Sequence, residues 1–535
     1  MTMTTVRLLP ALFAATIATA GGAQTFPAPD PVLQRIWTLG MDSSNVYRLA
    51  QALTDSVGPR LTGSPGHRAG NEWALAQYRG WNIPARNEQY GTWRGWRRGV
   101  SHLDLVRPRV RSLEAMMLAW SPGTGGKDVE ARAVVLPSFA DSAAFVKWLP
   151  SVRGAFVLIS MPQPTCRADA NWKEFATPES FETMQRERTA ATGAWNRRIA
   201  STGFSARDLP RRLEQAGAAG VITSLWSAGW GVTKIFQART ERVPTYDVSC
   251  EDYGLIFRLA ERGQGAVLRA RADAAFLGEN PVFNTMAEIR GSEKPDEYVM
   301  LSAHFDSWDG ASGATDNGTG TVTMMEAMRI LSIVYPRPKR TILVGHWGGE
   351  EQGLNGSRAF AADNPKVVQG LQSLFNQDNG TGRVSTISMQ GLVNAGGHWG
   401  RWASRLPMEL SRQISFIFPG APAGGGSDYA GFICAGAPAF NLSSTSFDYG
   451  TYTWHTNRDT FDKIVFDDLK SNAVLTAMLV YLASEDPERV PRERRVLAAG
   501  SPGSTAVSSA PALAPPVGNW PACQQPARSS GQSTR

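Results

Sequence analysis

The feature that most constrains the fold is the alternation of short apolar runs with helical segments from about Phe283 to Ala483. Tyr298–Ala303 and Thr341–Val344 have the composition of buried strands, and Val322–Tyr335 between them carries apolar residues at helical spacing. Strands that alternate with helices indicate a largely parallel sheet covered on both faces. We therefore expect an α/β fold with a mostly parallel, mixed sheet sandwiched by helices. Such sheets bind ligands in the loops at the carboxyl ends of their strands.

Histidine and carboxylate side chains come in the stretches that follow these strand-like runs. The residues concerned are His304, Asp306 and Asp316 after the first run, Glu350 and Glu351 after the second, Asp378 after Leu371–Phe375, and His455 in a later aromatic loop. Each of them alone has an ordinary explanation, such as a helix cap or a core histidine. Collected at one sheet edge, however, they would repel or be costly to dehydrate unless a cation neutralised them. Their shared relation to a preceding strand predicts a metal site.

The residue types in this set fit amide hydrolysis. A pair of divalent ions lowers the pKa of a bridging water and stabilises the oxyanion that forms when the water attacks, and zinc accepts both imidazole and carboxylate ligands. Two ions that share one carboxylate need five protein ligands and a sixth residue that moves protons. Glu350 is the candidate general base. Asp306, two residues after His304, is the candidate acceptor for the second imidazole N–H, which would fix the tautomer.

The strings that carry these residues resemble a known family. They are HFDSWDGASGATDNGTG from His304, GGEEQGLNGS around Glu350, QDNG around Asp378 and WHTNRDTFD around His455. They are similar to the co-catalytic dizinc exopeptidases, which include bacterial leucyl aminopeptidases, plasma glutamate carboxypeptidase and the transferrin receptor. Within that family the string from Asp306 and the insert described below are most similar to plasma glutamate carboxypeptidase.

The resemblance implies a role for each position. His304 and Asp378 would bind one zinc ion, Glu351 and His455 the other, and Asp316 would bridge the two. It therefore implies a metallopeptidase with two Zn²⁺ per chain that hydrolyses peptide bonds at the ends of peptides or in dipeptides, using a metal-bridged water that Glu350 activates. Aminopeptidase, dipeptidase and carboxypeptidase activities all remain open.

Two departures and two alternatives accompany this interpretation. Trp454 stands where several relatives have an oxyanion-stabilising tyrosine, and Tyr449 and Tyr452 are the candidate substitutes. Ser427-Asp428-Tyr429 replaces the Ser/Thr-Asp-His of many relatives. The alternatives are a non-catalytic, receptor-like protein, which would have lost ligands, and a mononuclear enzyme similar to glutaminyl cyclases, which would hold one zinc ion.

The rest of the chain divides into segments of different texture. We predict a signal peptide at 1–23, a first part of the peptidase domain at 24–110, and a β-rich insert similar to a protease-associated domain at 111–275. The metal-binding part follows at 276–490 and a disordered tail, rich in Ala, Pro, Ser and Gly, at 491–535. The insert is a candidate pocket wall, lid or contact in a homodimer, and the sequence leaves these roles open.

Export is the localisation that the N-terminus indicates, secreted or periplasmic. In that compartment Cys166 and Cys250 can form a disulfide, whereas Cys434 is interpreted as a small buried residue. The formal charge of +7 is spread thinly, without a run of five basic residues, which argues against nucleic-acid binding. No stretch suits stable membrane insertion. The predicted partner is thus a peptide substrate.

Overall fold

The computed structural model describes residues 26–495 and 520–532. The predicted signal peptide, 1–23, lies outside the described residues. Within those residues, no helix combines the length and the apolar character that a bilayer crossing requires.

One extended sheet organises the described part of the chain. Its strands are β1 (Ala85–Arg107), β2 (Arg111–Ser112), β3 (Ala115–Met117), β4 (Val129–Val135), β5 (Phe156–Leu158), β6 (Gly220–Thr223), β7 (Thr245–Val248), β8 (Val267–Ile289), β9 (Lys294–His304), β10 (Arg340–Trp347), β11 (Leu371–Asn376), β12 (Val384–Ser388), β13 (Ser415–Ile417) and β14 (Ala439–Ser444). The order across the sheet is β13-β12-β14-β11-β9-β10-β8-β4-β5-β6-β7-β3, and β1 pairs with β8 and β2.

The strand directions confirm a mixed sheet with a parallel centre. Strands β10, β9, β11 and β14 run parallel to one another, whereas β8 is antiparallel to β10 and β12 is antiparallel to β14. β8 pairs with β4 through its first residues and with β10 through its last. Residue 275 therefore falls inside a strand that links the two halves of the sheet, and the division of the chain at 110 and 275 stays a prediction.

Helices cover the sheet. They are α1 (Pro31–Asp42), α2 (Val46–Gln51), α3 (Pro65–Gly80), α4 (Ser142–Trp148), α5 (Asp169–Phe175), α6 (Pro178–Ser201), α7 (Leu209–Gln215), α8 (Cys250–Glu261), α9 (Thr319–Val334), α10 (Asn355–Asp363), α11 (Pro365–Gly370), α12 (Ala395–Ala403), α13 (Met408–Ser411), α14 (Ala430–Ile433) and α15 (Phe466–Glu485). The predicted helix at 322–335 is confirmed as α9.

Alternate side chains of β9 pack on opposite faces of the sheet, as the pleat requires. Val299 and Leu301 belong to a buried cluster with residues of α9 and α15. Met300 lies in another buried cluster with Phe360 of α10 and Phe432 of α14. The centre of the sheet is therefore covered on both faces, so that only the strand ends and loops are free to form a site.

Of the stretch predicted to be a disordered tail, 491–535, the structure describes residues 491–495 and 520–532. Cys434, which the sequence analysis interpreted as a small buried residue, is half-buried and forms a disulfide with Cys523. The covalent link anchors the end of the chain to the body of the protein, which composition alone does not reveal. A second disulfide joins Cys166 to Cys250, the pairing that the sequence left open.

Candidate metal centre and active site

The parallel strands bring four of the predicted residues to one edge of the sheet. β9 ends at His304, which pairs in register with Trp347, the last residue of β10. β11 ends at Asn376, which is in register with Ser302 of β9. The loops that leave β10 and β11 carry the glutamate pair at 350–351 and Asp378, so these side chains start from neighbouring points at the carboxyl edge.

Asp316 lies between the two histidines. Its Oδ1 atom is 3.2 Å from Nε2 of His304, and its Oδ2 atom is 3.3 Å from Nε2 of His455. The two imidazoles come from residues 151 positions apart in a chain that has to fold to bring them together. Each oxygen of this one carboxylate thus faces a different imidazole ring.

Asp378 and Glu351 complete one group on each side of Asp316. Asp378 Oδ1 is 3.3 Å from His304 Nε2, and Glu351 Oε2 is 2.9 Å from His455 Nε2. Within each group of three, His304 with Asp316 and Asp378, and His455 with Asp316 and Glu351, the potential ligand atoms lie within 4.8 Å of one another. All five residues predicted as metal ligands are therefore brought together.

Asp306 contacts this cluster in a different way from the one expected. The main-chain oxygen of Asp306 lies 2.9 Å from Nδ1 of His304, whereas the nearest carboxylate oxygen is 3.7 Å away. The carboxylate instead accepts the backbone N–H groups of Glu350 at 3.0 Å and Glu351 at 3.3 Å, and the hydroxyl of Thr62 at 3.0 Å. Spacing along an extended chain predicts proximity to His304 but not which oxygen faces the ring.

Asp459 and Arg60 hold the loop that carries Asp316. Asp459 accepts the backbone N–H groups of Thr315 at 2.7 Å and Asp316 at 3.0 Å. The fully buried guanidinium of Arg60 donates to the main-chain oxygens of Phe305, Ser312 and Gly313, among others. Sequence reasoning did not assign either role, although Asp459 stands inside the WHTNRDTFD string.

The loop with His455 is held by a short segment at 234–236. Lys234 donates to the main-chain oxygen of Trp454 at 2.9 Å, and its ammonium group lies 4.3 Å from the centre of the Trp454 ring. The backbone N–H of Ile235 donates to the main-chain oxygen of His455 at 2.7 Å. The ring of Phe236 meets the His455 imidazole edge-on, with 5.0 Å between the ring centres. The segment belongs to the stretch predicted as an insert, so that this stretch contributes to the geometry of the site.

Burial and charge perturb the titration of the cluster. Burial raises the pKa of Glu350 well above its usual value, and the nearby Asp378 carboxylate adds to the effect while His304 opposes it. Burial likewise raises the pKa of Glu351 to about 7. For His455 burial would lower the pKa, but Glu351 and Asp316 outweigh it and raise the value to about 9. The cluster therefore holds more carboxylates than its two histidines can neutralise.

A cavity of about 640 Å³ opens onto the cluster. It is lined by Asp316, Glu350, Glu351, Asp378 and His455, by Arg358, Tyr449, Trp454 and the Gly424–Gly426 loop, and by Gln524 from the end of the chain, among others. Of the two tyrosines considered as oxyanion donors, Tyr449 lines the cavity, whereas Tyr452 is not among its lining residues. Gln524 had no sequence signal, because it lies in the segment predicted to be disordered.

The residues fit a pair of zinc ions by their chemistry. The buried Glu351 Oε1 has no hydrogen-bond partner among the described residues, nor does Nδ1 of His455. Two imidazoles and three carboxylates form a donor set of the kind that zinc accepts. The excess of buried negative charge is what bound cations would neutralise.

Comparison with known proteins agrees with this site. Residues 284–480, which include the five candidate ligands, match the profile of peptidase family M28. This segment belongs to peptidase family M28. Human carboxypeptidase Q is 24% identical over 454 residues, which cover 85% of this chain and 88% of that protein. The family resemblance predicted from the sequence is thereby confirmed.

Solved structures show the same fold. A peptidase M28 precursor from Shewanella amazonensis matches with a TM-score of 0.63 and 23% identity over 86% of this chain and 97% of that one. BSAP, a zinc aminopeptidase from Bacillus subtilis, matches with a TM-score of 0.54 and 18% identity over 84% of this chain and 97% of that one. The match to peptidase family M28 and the similarity to carboxypeptidase Q support a metallopeptidase that acts on the ends of peptides.

Proposed function

We propose that this chain is an exported dizinc metallo-exopeptidase. His304 and Asp378 would hold one zinc ion, His455 and Glu351 the other, and Asp316 would be shared. The observation that carries the proposal is the position of Asp316, whose two oxygens lie 3.2 and 3.3 Å from the two imidazole nitrogens. The role of a helix cap does not explain why this carboxylate faces two histidines from distant parts of the chain.

Glu350 is the proposed general base. When bound, the zinc ions supply positive charge that makes a water molecule acidic and stabilises an oxyanion. Glu350 lines the same cavity as the ligand side chains but belongs to neither group of three. Its carboxylate would accept a proton from the attacking water and donate it to the leaving amine.

Asp306 and Tyr449 have supporting roles in this proposal. Asp306 fixes the backbone of the Glu350-Glu351 turn, and its own carbonyl orients the imidazole of His304. Tyr449 lines the cavity and is the proposed hydrogen-bond donor to the carbonyl oxygen of the substrate. Both groups act by position, because an aligned donor or acceptor costs no reorganisation when the reaction occurs.

The remaining predictions belong to the same proposal. The two disulfides are typical of a protein that leaves the reducing cytoplasm, and they support export. We retain the stretch at 111–275 as a β-rich insert that supports the His455 loop through Lys234. A homodimer stays a prediction.

The test of the proposed function is a digest of defined dipeptides and short peptides with free or blocked ends, followed by mass spectrometry. The proposal predicts zinc-dependent release of single amino acids from free peptides. Blocking the amino group and blocking the carboxyl group separate aminopeptidase from carboxypeptidase action, and cleavage of free dipeptides alone identifies a dipeptidase. Absence of hydrolysis in zinc-loaded protein would contradict the proposal.

A further inference from the structure

The segment at 520–532 lies beside the cleft and is fastened there. We call Trp520–Gln532 the C-terminal strap. The Cys434–Cys523 disulfide ties it to the end of α14. Trp520 donates its indole N–H to the main-chain oxygen of Ile433 at 2.7 Å, and Arg494 lies 5.0 Å from the centre of its ring. The first part of the strap is therefore fixed both covalently and by packing.

A second set of contacts fixes the other part of the strap. The backbone N–H of Ala527 donates to Asn355 at 2.8 Å, and the Arg528 oxygen accepts the N–H of Thr92 at 2.9 Å. The Arg528 guanidinium pairs with Asp363 at 2.7 Å. A β-carbon at Gly91 would collide with the carbonyl of Arg528, so the strap docks where only glycine leaves room. The stretch between Cys523 and Ala527 is thus held at both ends.

This stretch borders the candidate active site. Gln524 lines the cavity that contains Glu350 and Asp378. It also lines an adjoining cavity of about 680 Å³, together with Gln525, Pro526 and Ala527 of the strap. Gly353, Arg358 and Gln524 line both cavities. Gln524 therefore lies where the two cavities adjoin.

We propose that the C-terminal strap is a wall of the substrate cleft that limits the length of the peptide, with Gln524 in contact with the substrate. The inference rests on the proposed function. An extended peptide advances about 3.3–3.6 Å with each residue, so a fixed wall beside the reacting groups sets how many residues fit. The Gln524 amide offers both a donor and an acceptor to the peptide main chain.

Removal of the contacts that hold the C-terminal strap tests the proposal that the strap limits peptide length. Cys434→Ser with Cys523→Ser and Arg528→Ala removes the disulfide and the ion pair with Asp363 and should loosen the strap. Cys166→Ser with Cys250→Ser is the matched control, because it removes a disulfide whose residues line neither cavity. The measurement is kcat/KM for alanine peptides of two to five residues. We expect the ratio of the pentapeptide value to the dipeptide value to rise about tenfold or more in the first variant and to stay unchanged in the control. An unchanged ratio in both variants would overturn the wall.

A bulky side chain at the wall should have the opposite effect. Gln524→Trp should lower the pentapeptide-to-dipeptide ratio about tenfold, whereas Ala522→Trp, on an exposed strap residue that lines neither cavity, should not change it. Equal effects of the two substitutions would exclude substrate contact at Gln524. If wild-type protein loaded with zinc cleaved none of the peptides, the proposed function itself would fail and this inference with it. A cleaving wild type with unchanged ratios would overturn the strap alone.

Discussion

The carboxylate of Asp306 accepts the backbone N–H of Glu350 at 3.0 Å, although the two residues lie 44 positions apart. Asp306, two residues after His304, thus holds the turn that carries the proposed base. Asp306→Asn should lower kcat about 10- to 100-fold, as outer-sphere partners of metal sites commonly do, because an amide cannot accept two N–H groups with two oxygens.

Measurements of kcat and zinc content on purified Asp306→Asn check the predicted loss. Asp309→Asn is the control, since Asp309 lies in the same loop but pairs with Arg98 at 2.7 Å. The control should keep the wild-type kcat. Wild-type kcat in Asp306→Asn would contradict the positioning role.

Glu350→Gln tests the base. The variant should lose about 10²- to 10⁴-fold in kcat, the range that general acid–base catalysis supplies. It should keep its zinc, because Glu350 belongs to neither ligand group. Assays of turnover and of metal content on the same preparation decide the matter. Loss of zinc together with activity would show that Glu350 is a ligand.

Tyr449→Phe tests the donor to the substrate oxygen. Removal of one oxyanion donor costs about 10²- to 10³-fold in kcat in proteases, and we expect a loss of that order with KM little changed. Tyr452→Phe is the matched control, because Tyr452 lies in the same loop but is absent from the residues that line the cavity. Equal losses in the two variants would remove Tyr449 from the mechanism.

Lys234→Met should weaken zinc binding at the His455 side. The substitution removes the hydrogen bond to the Trp454 oxygen and the contact with the Trp454 ring. We expect zinc affinity to fall about tenfold, measured by competition with a chromophoric chelator. Lys147→Met, at an exposed position, should leave the affinity unchanged. An unaltered affinity in Lys234→Met would show that the segment at 234–236 does not support the site.

The central sheet and the residues at its carboxyl edge could be predicted from the sequence for a physical reason. Parallel strands share one carboxyl edge, so the side chains after β9 and β11 had to start close together, and His304 and Asp378 do lie within 3.3 Å. The strand–helix alternation likewise predicted the mixed sheet and α9. These features depend on local pattern, which the sequence carries directly.

Contacts between distant segments could not be predicted from the sequence. Nothing around Asp306 indicates that its carboxylate serves the Glu350 turn rather than the His304 ring, because both partners are equally close to a strand end. Gln524 lies in a stretch whose composition resembles a disordered tail, and its position depends on a disulfide partner that spacing does not reveal. The support that Lys234 gives to Trp454 joins residues 220 positions apart.

Zinc content per chain tests the central claim most directly. Protein loaded with zinc and dialysed against metal-free buffer, with metal and protein measured by mass spectrometry and amino-acid analysis, should contain two zinc ions per chain, and Asp316→Ala should lose both, since both sites share that carboxylate. One ion per wild-type chain, or full occupancy in Asp316→Ala, would contradict the account.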